Sequence, residues 1–150
     1  MISFFVPGTP KPQGSKRGFV NKHTGKVAMV ESAGAPLKDW RGDVKRFAVD
    51  AMAEMPAFPG PVALALEFQL QRPKSHPKTR ITYPEKRPDV DKLARSVLDA
   101  LTSVCFLDDA QITELVAVKR WAHDVPGVAI RVWDLTLEAW SVEAALRQGA

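Results

Sequence analysis

Apolar positions recur along this chain with two different periods, and the switches between them mark most of its elements. Residues 2–6 (ISFFV) are a short β-branched and aromatic run closed by Pro7 and Gly8, which predicts a strand ended by a turn. Residues 9–18 (TPKPQGSKRG) are too rich in Pro and Gly for a regular element. Phe19, Val20 and residues 26–30 flank the segment NKHTG, a hairpin pattern with a basic tip. From Pro36 the spacing turns helical: Leu37, Trp40, Val44, Phe47, Ala48, Ala51 and Met55 share a face, and the helix should close at Pro56. Residues 62–70 alternate, with Val62, Leu64, Leu66, Phe68 and Leu70 on one side and Glu67 and Gln69 on the other, the pattern of a half-buried strand.

Residues 72–87 read as a long basic loop, followed by a second helix on Val90, Leu93, Ala94, Val97, Leu98 and Leu101. Residues 112–121 and 128–135 are two further β-rich runs separated by the turn HDVPG, and residues 136–147 can form a terminal helix. The order is β, hairpin, α, β, α, β, β, α, without repeats. It predicts an α+β fold, a small mixed β-sheet with helices packed on one face, as a single domain over residues 1–150.

The chain has 150 residues, 45% of them apolar, enough for one core without staples. No eighteen apolar residues run together and no basic region precedes the first apolar stretch, which speaks against a membrane span or a signal peptide. The single Cys105 allows neither an internal disulfide nor a Cys-based zinc site, and a reducing cytoplasm is the expected compartment. The net charge of +4 is modest but uneven. Lys11, Lys16, Arg17, Lys22 and Lys26 precede the first acid, Glu31; Arg72, Lys74, Lys78, Arg80, Lys86 and Arg87 stand against Glu85 alone. Two cationic loops flanking a more neutral body fit a polyanion, although solvated surface lysines would read the same way.

Most catalytic patterns fail. Gln13 stands where a P-loop begun at Gly8 needs glycine, there is no G-x-S-x-G elbow, and Cys105 lies in SVCFL with no histidine nearby. His23, His76 and His123 fall in loops or turns without helical i,i+4 pairing and read as surface residues. The acids differ. Asp89 and Asp91 open the second helix, and Asp108 with Asp109 follow it before the next strand. One acid at a helix start is explained by capping and the dipole. Two acids there, with another pair returned by the following helix and strand, make an oxygen-rich group suited to Mg²⁺. Acids for a cation beside cationic loops for a substrate suit metal-held phosphate chemistry.

Residues 87–112, RPDVDKLARSVLDALTSVCFLDDAQI, resemble the signature of the RusA-type Holliday junction resolvases: a D-x-D, a helix containing L-D-A-L, then D-D-x-Q-[IV] opening a strand. The opening VPGTPKPQGSKR resembles the basic beginnings of phage-encoded members. The resemblance implies a homodimeric, Mg²⁺-dependent endodeoxyribonuclease, with Mn²⁺ as a possible substitute, that cuts paired strands of four-way or branched DNA and leaves resealable 5′-phosphates in a bacterial or phage-infected cell. It implies no small-molecule cofactor. By position, Asp89, Asp91 and Asp109 become the metal-binding carboxylates, with Asp108 orienting a ligand or water. The family's basic residue four places after the second aspartate is here Arg95, which stays charged and so suits electrostatic stabilisation rather than proton transfer. Asp99 can pair with Arg95 along the helix. DNA contacts are expected from Lys11, Lys16, Arg17, Lys74, Lys86, Arg87 and Lys92, the last where members often have Asn. The competing reading is a non-catalytic DNA- or RNA-binding module. A metal phosphatase acting on small substrates would leave the basic loops without a task.

Overall fold

The computed structural model describes residues 1–141 apart from Ser15, Asn21, Ser32, Ala33, Lys78 and Glu138, and gives only the backbone of 16–19 and 28–31. Among the described residues, six strands and two helices follow in the order β1 (Ile2–Pro7), β2 (Lys16–Val20), β3 (Val27–Glu31), α1 (Gly34–Met52), β4 (Val62–Leu70), α2 (Val90–Leu101), β5 (Ile112–Trp121) and β6 (Gly127–Asp134). A 3₁₀ turn, Asp109–Gln111, leads into β5. The main sheet runs β1-β6-β4-β5, and β2 pairs with β3 as a separate hairpin. Only the β4–β5 pair is parallel, because α2 carries the chain back to the starting end of β4 before β5 begins. The mixed α+β sheet is therefore as the sequence predicts; β5 and β6, although joined by a short turn, are not neighbours, since β4 lies between them.

The helices cover one face. Leu93, Ala94, Val97, Ala100 and Leu101 of α2 and Leu37, Trp40, Val44, Ala48 and Met52 of α1 pack on Val62, Leu64, Leu66 and Phe68 of β4. Full burial of Phe68 and Phe106 stabilises the fold by about 3 kcal/mol for each ring. On the opposite face, the apolar cover among the described residues lies at the start of β4, where Ala63 and Ala65 lie under Trp133, which meets Trp140 edge to face at 6.2 Å. β4 is thus buried on both faces in its first half and half-buried only beyond Leu66. Gly127 starts β6 where any Cβ would meet Val6 O at 2.3 Å, so only glycine lets β1 approach.

Other boundaries shift for local reasons. α1 ends at Met52 rather than Pro56 because Ala53 turns left-handed at φ 50, and Met55 is left exposed. β2 begins inside the Pro/Gly-rich segment, at Lys16, because it pairs with Glu31 across the hairpin. Residues 135–137 form a turn and 139–141 no regular element, so the predicted terminal helix does not start at 136; its remainder lies outside the described residues. No helix among the described residues is long and apolar enough to cross a membrane.

Candidate functional site

The first acid pair stands at the N-terminus of α2. Asp89 occupies the N-cap position with extended backbone, yet its side chain makes no capping hydrogen bond. Its carboxylate instead faces Lys92 Nζ at 3.2 Å, both side chains being nearly half exposed. Asp91 follows in the first turn and is exposed, where its charge suits the positive end of the helix dipole. Capping, the structural use of an acid here, is therefore not what Asp89 does.

Both basic segments converge on this turn. Gln13 N donates to Lys92 O at 2.9 Å, which fastens the N-terminal segment to α2. Lys119 Nζ, on β5, donates to Lys86 O and Pro88 O at 2.9 Å each and fastens the end of the 72–87 loop beside Asp89. Lys11 is half-buried in the first segment; Lys74, Lys86 and Arg87 are exposed in the second; the side chains of Lys16 and Arg17 lie outside the described ones. Arg95 is exposed on α2, one turn beyond Asp91. Asp99 does not pair with it as the helical spacing suggests: its partner is Arg41 of α1, which also reaches Gln13 Oε1.

The second acid pair lies at the other end of α2. Ser103 N bonds Phe106 O and Phe58 N bonds Cys105 O, which ties the turn after α2 to the chain entering β4. Asp108 caps the 3₁₀ turn, its Oδ1 accepting from Ala110 N at 2.8 Å. Gln111 completes the arrangement: its Oε1 accepts from Leu107 N and Asp108 N, and its Nε2 donates to Phe58 O and Gly60 O. Asp108 is thus committed to the backbone, while the neighbouring Asp109 is exposed.

These two ends do not meet within one chain. The twelve residues of α2 rise about 18 Å, and β5 runs back over the same span, with Lys119 at the Asp89 end and Ile112 at the Asp109 end, about 23 Å apart. Accordingly, no three His, Cys, Asp or Glu side chains among the described residues are grouped to hold a metal. Asp89 with Asp91 stand at one end of α2 and Asp109 beyond the other, so a single chain does not gather the three carboxylates into one site.

The remaining candidates divide between those that follow the sequence expectation and one that does not. Burial pushes the Cys105 thiol from 9.0 up to about 12, which leaves it protonated and unreactive at neutral pH. His23 and His123 are exposed, but His76 is half-buried: its ring meets Trp121 edge to face at 5.0 Å. Sequence reasoning passed over Lys119 and Gln111. Lys119 pairs with Phe68 and so occupies a core-facing register position, where a charge signals a fixed partner; Gln111 stands within the D-D-x-Q motif itself.

Two comparisons bear on this arrangement. The model of the family described as "Endodeoxyribonuclease RusA" matches residues 7–133. The chain is also similar to "Uncharacterized protein YqaN" of Bacillus subtilis (strain 168), 28% identical over 144 residues that cover 90% of this chain and 97% of that one.

Proposed function

This chain belongs to the RusA endodeoxyribonuclease family, and we propose that it cuts four-way and other branched DNA as a homodimer whose two metal sites are each shared between protomers. The observation that carries this reading is the placement of Asp89 and Asp91 at one end of α2 and Asp109 beyond the other. β5 is the edge strand of the sheet, and its residues 113–115 are exposed. A two-fold axis beside the middle of β5 lays that strand, and α2 behind it, antiparallel to their copies. Asp89 and Asp91 then come beside Asp109 of the partner subunit, and the operation repeats at the second site. Three carboxylates from two chains supply the hard oxygen set that Mg²⁺, or Mn²⁺ in its place, requires.

The chain's own residues have defined tasks around such a site. Lys11, Lys86 and Arg87, gathered at the same turn, hold phosphates, with Lys16, Arg17 and Lys74 extending the track. Lys92 holds the Asp89 carboxylate in place when DNA is absent and is close enough to take up a phosphate when it is bound. Arg95 keeps its charge at every working pH and stabilises negative charge on the phosphate under attack, while taking no part in proton transfer. Asp108 and Gln111 position Asp109 through the backbone. Paired symmetric sites match the two equivalent strands of a four-way junction, whose nicks leave resealable 5′-phosphates.

Mixing two inactive variants tests the shared site. A heterodimer of Asp91→Asn and Asp109→Asn chains contains one site with both lesions and one with neither, so the mixture should regain single-strand nicking of a Mg²⁺-supplied junction without paired cutting. Sites built within one chain would leave the mixture inactive. A protein that bound junctions tightly and never nicked them, alone or mixed, would return the non-catalytic binding module.

A further inference from the structure

The outer face of the sheet carries a cleft that this arrangement leaves without a task. Residues 79–83 cross the ends of β4 and β5 as a strap over the face opposite the helices. The strap is pinned from below: Trp121 Nε1 donates to Thr82 Oγ1 at 3.1 Å, Arg72 Nη2 donates to the same hydroxyl at 3.4 Å, and Pro84 at its foot is buried. The space beneath is about 660 Å³, within the roughly 300–1,000 Å³ of clefts that enclose a small ligand.

The lining has a consistent chemistry. Arg72, Arg80 and Arg120 line it against the single carboxylate of Glu67, which bonds Gln69 Nε2 at 3.3 Å on the floor. Arg72 Nε is buried without a hydrogen-bond partner, and a desolvated guanidinium N–H left unpaired is costly unless an acceptor arrives. The Arg120 guanidinium lies over the Tyr83 ring at 5.4 Å, while the residue remains 61% exposed. Guanidinium groups for a phosphate, an aromatic ring for stacking, and a paired amide and carboxylate for a base edge together describe a nucleotide better than a bare anion, which Glu67 would repel. Tyr83 and Trp121 also line a second cavity, of about 550 Å³, that runs past Lys86 and Arg87 toward Asp89. A strand leaving the α2 terminus by that route reaches the cleft.

We propose that the cleft under the 79–83 strap holds one unpaired nucleotide of the bound DNA strand, its phosphate on Arg72, Arg80 and Arg120 and its base stacked on Tyr83. The inference rests on the DNA-cutting reading for the strand's origin. Only a base that has left its own stack can lie on the Tyr83 ring, so the site selects a nucleotide unstacked at a branch point, where the unpairing cost is lowest.

The test is fluorescence anisotropy of the full chain with fluorescein-labelled tetrathymidylate at fixed ionic strength without divalent cation, beside a linear duplex of the basic-track length. Tyr83→Ala should weaken tetrathymidylate binding about tenfold, the loss expected of one base–aromatic stack, with Tyr83→Phe restoring it and duplex affinity within twofold. Arg120→Ala should weaken it similarly. Tetrathymidylate affinity unchanged in both Ala variants, or duplex affinity falling in parallel, would overturn the proposal. Junction cleavage measured alongside separates the two readings: cutting that persists while tetrathymidylate ignores Tyr83 removes the cleft alone, and Tyr83-dependent binding by a protein that never cuts removes the nuclease alone.

Discussion

Asp89→Asn asks whether the acids at the start of α2 hold a cation or shape a helix. The substitution keeps size and shape and removes one charge. The structure sets what stability is at stake. Asp89 makes no capping hydrogen bond, so nothing is lost there. Its ion pair with Lys92, with side chains 46% and 45% exposed, is screened and contributes about 0.5 kcal/mol. Loss of a negative charge from the positive end of the helix dipole adds a similar amount, about 0.5 kcal/mol. Together they come to about 1 kcal/mol, or a fall in melting temperature of about 3 °C for a chain of 150 residues.

Cleavage should respond on a different scale. Removal of a charged group that acts on the transition state costs about 3–4 kcal/mol, so nicking of a labelled four-way junction in Mg²⁺ should fall at least about a hundredfold. Junction affinity should hold or rise, since one negative charge near the phosphates is gone. Asp91→Asn should follow the same pattern, and Asp124→Asn, in the exposed turn before β6, should cut normally. Wild-type cleavage by Asp89→Asn and Asp91→Asn would refute the metal role of both. A melting temperature lowered by more than about 10 °C, with binding and cleavage lost together, would make the acids structural.

Other consequences follow from the same geometry. Asp108→Ala removes the cap on the 3₁₀ turn and should cost about 1 kcal/mol in chemical denaturation, whereas Asp109→Asn should leave stability unchanged and abolish cutting. Sedimentation at micromolar concentration should give a dimer of about 33 kDa, twice the 16.5 kDa chain, and a monomer that still makes paired nicks would sink the shared site. Affinity for junction DNA should fall steeply with log salt, and Lys86→Ala with Arg87→Ala should flatten that slope by about two phosphate contacts. Burial raises the folded Cys105 thiol above its ordinary 9.0 to about 12; because the folded chain keeps this proton while the unfolded chain sheds it, the contribution is complete below pH 9 and is lost as pH rises from 9 towards 12, by up to about 1.4 kcal/mol per pH unit. Cys105→Ala should be less steep over that interval in denaturant titrations, whatever its cavity costs.

What the sequence made legible is what local period and spacing encode. The faces of α1, β4 and α2 follow from residues three, four and two apart, and Leu93, Val97 and Leu101 are buried as that spacing demands. Strand order is a different kind of information. The turn HDVPG between β5 and β6 looks like a hairpin connection, but β6 is buried along both faces, as a central strand must be, and the place beside β5 is taken by β4. Single-chain periodicity gives no means of seeing that β4, fifty residues earlier, competes for the same edge and takes it along the whole of its length, with one register shift between Val62 and Ala63.

The acids show the same boundary between local and non-local information. The D-x-D and D-D motifs are read from spacing, and their residence at helix termini is too, but whether they face one another depends on the length of the helix between them. A twelve-residue α2 sets them about 18 Å apart, a separation that no repacking of side chains within one chain closes. Either the pairs act independently or a second copy supplies the missing end. Asp108 caps the 3₁₀ turn through its Oδ1, so an independent site there would rest mainly on Asp109, a weaker ligand set than three carboxylates together. In the dimer we propose, the antiparallel copy across the β5 edge would supply the other two, which would make the length of α2, and not only its acids, a determinant of activity: inserting one helical turn between Arg95 and Asp99 should leave each half folded, shift Asp109 by about 5 Å relative to the partner's carboxylates, and abolish nicking while junction binding persists.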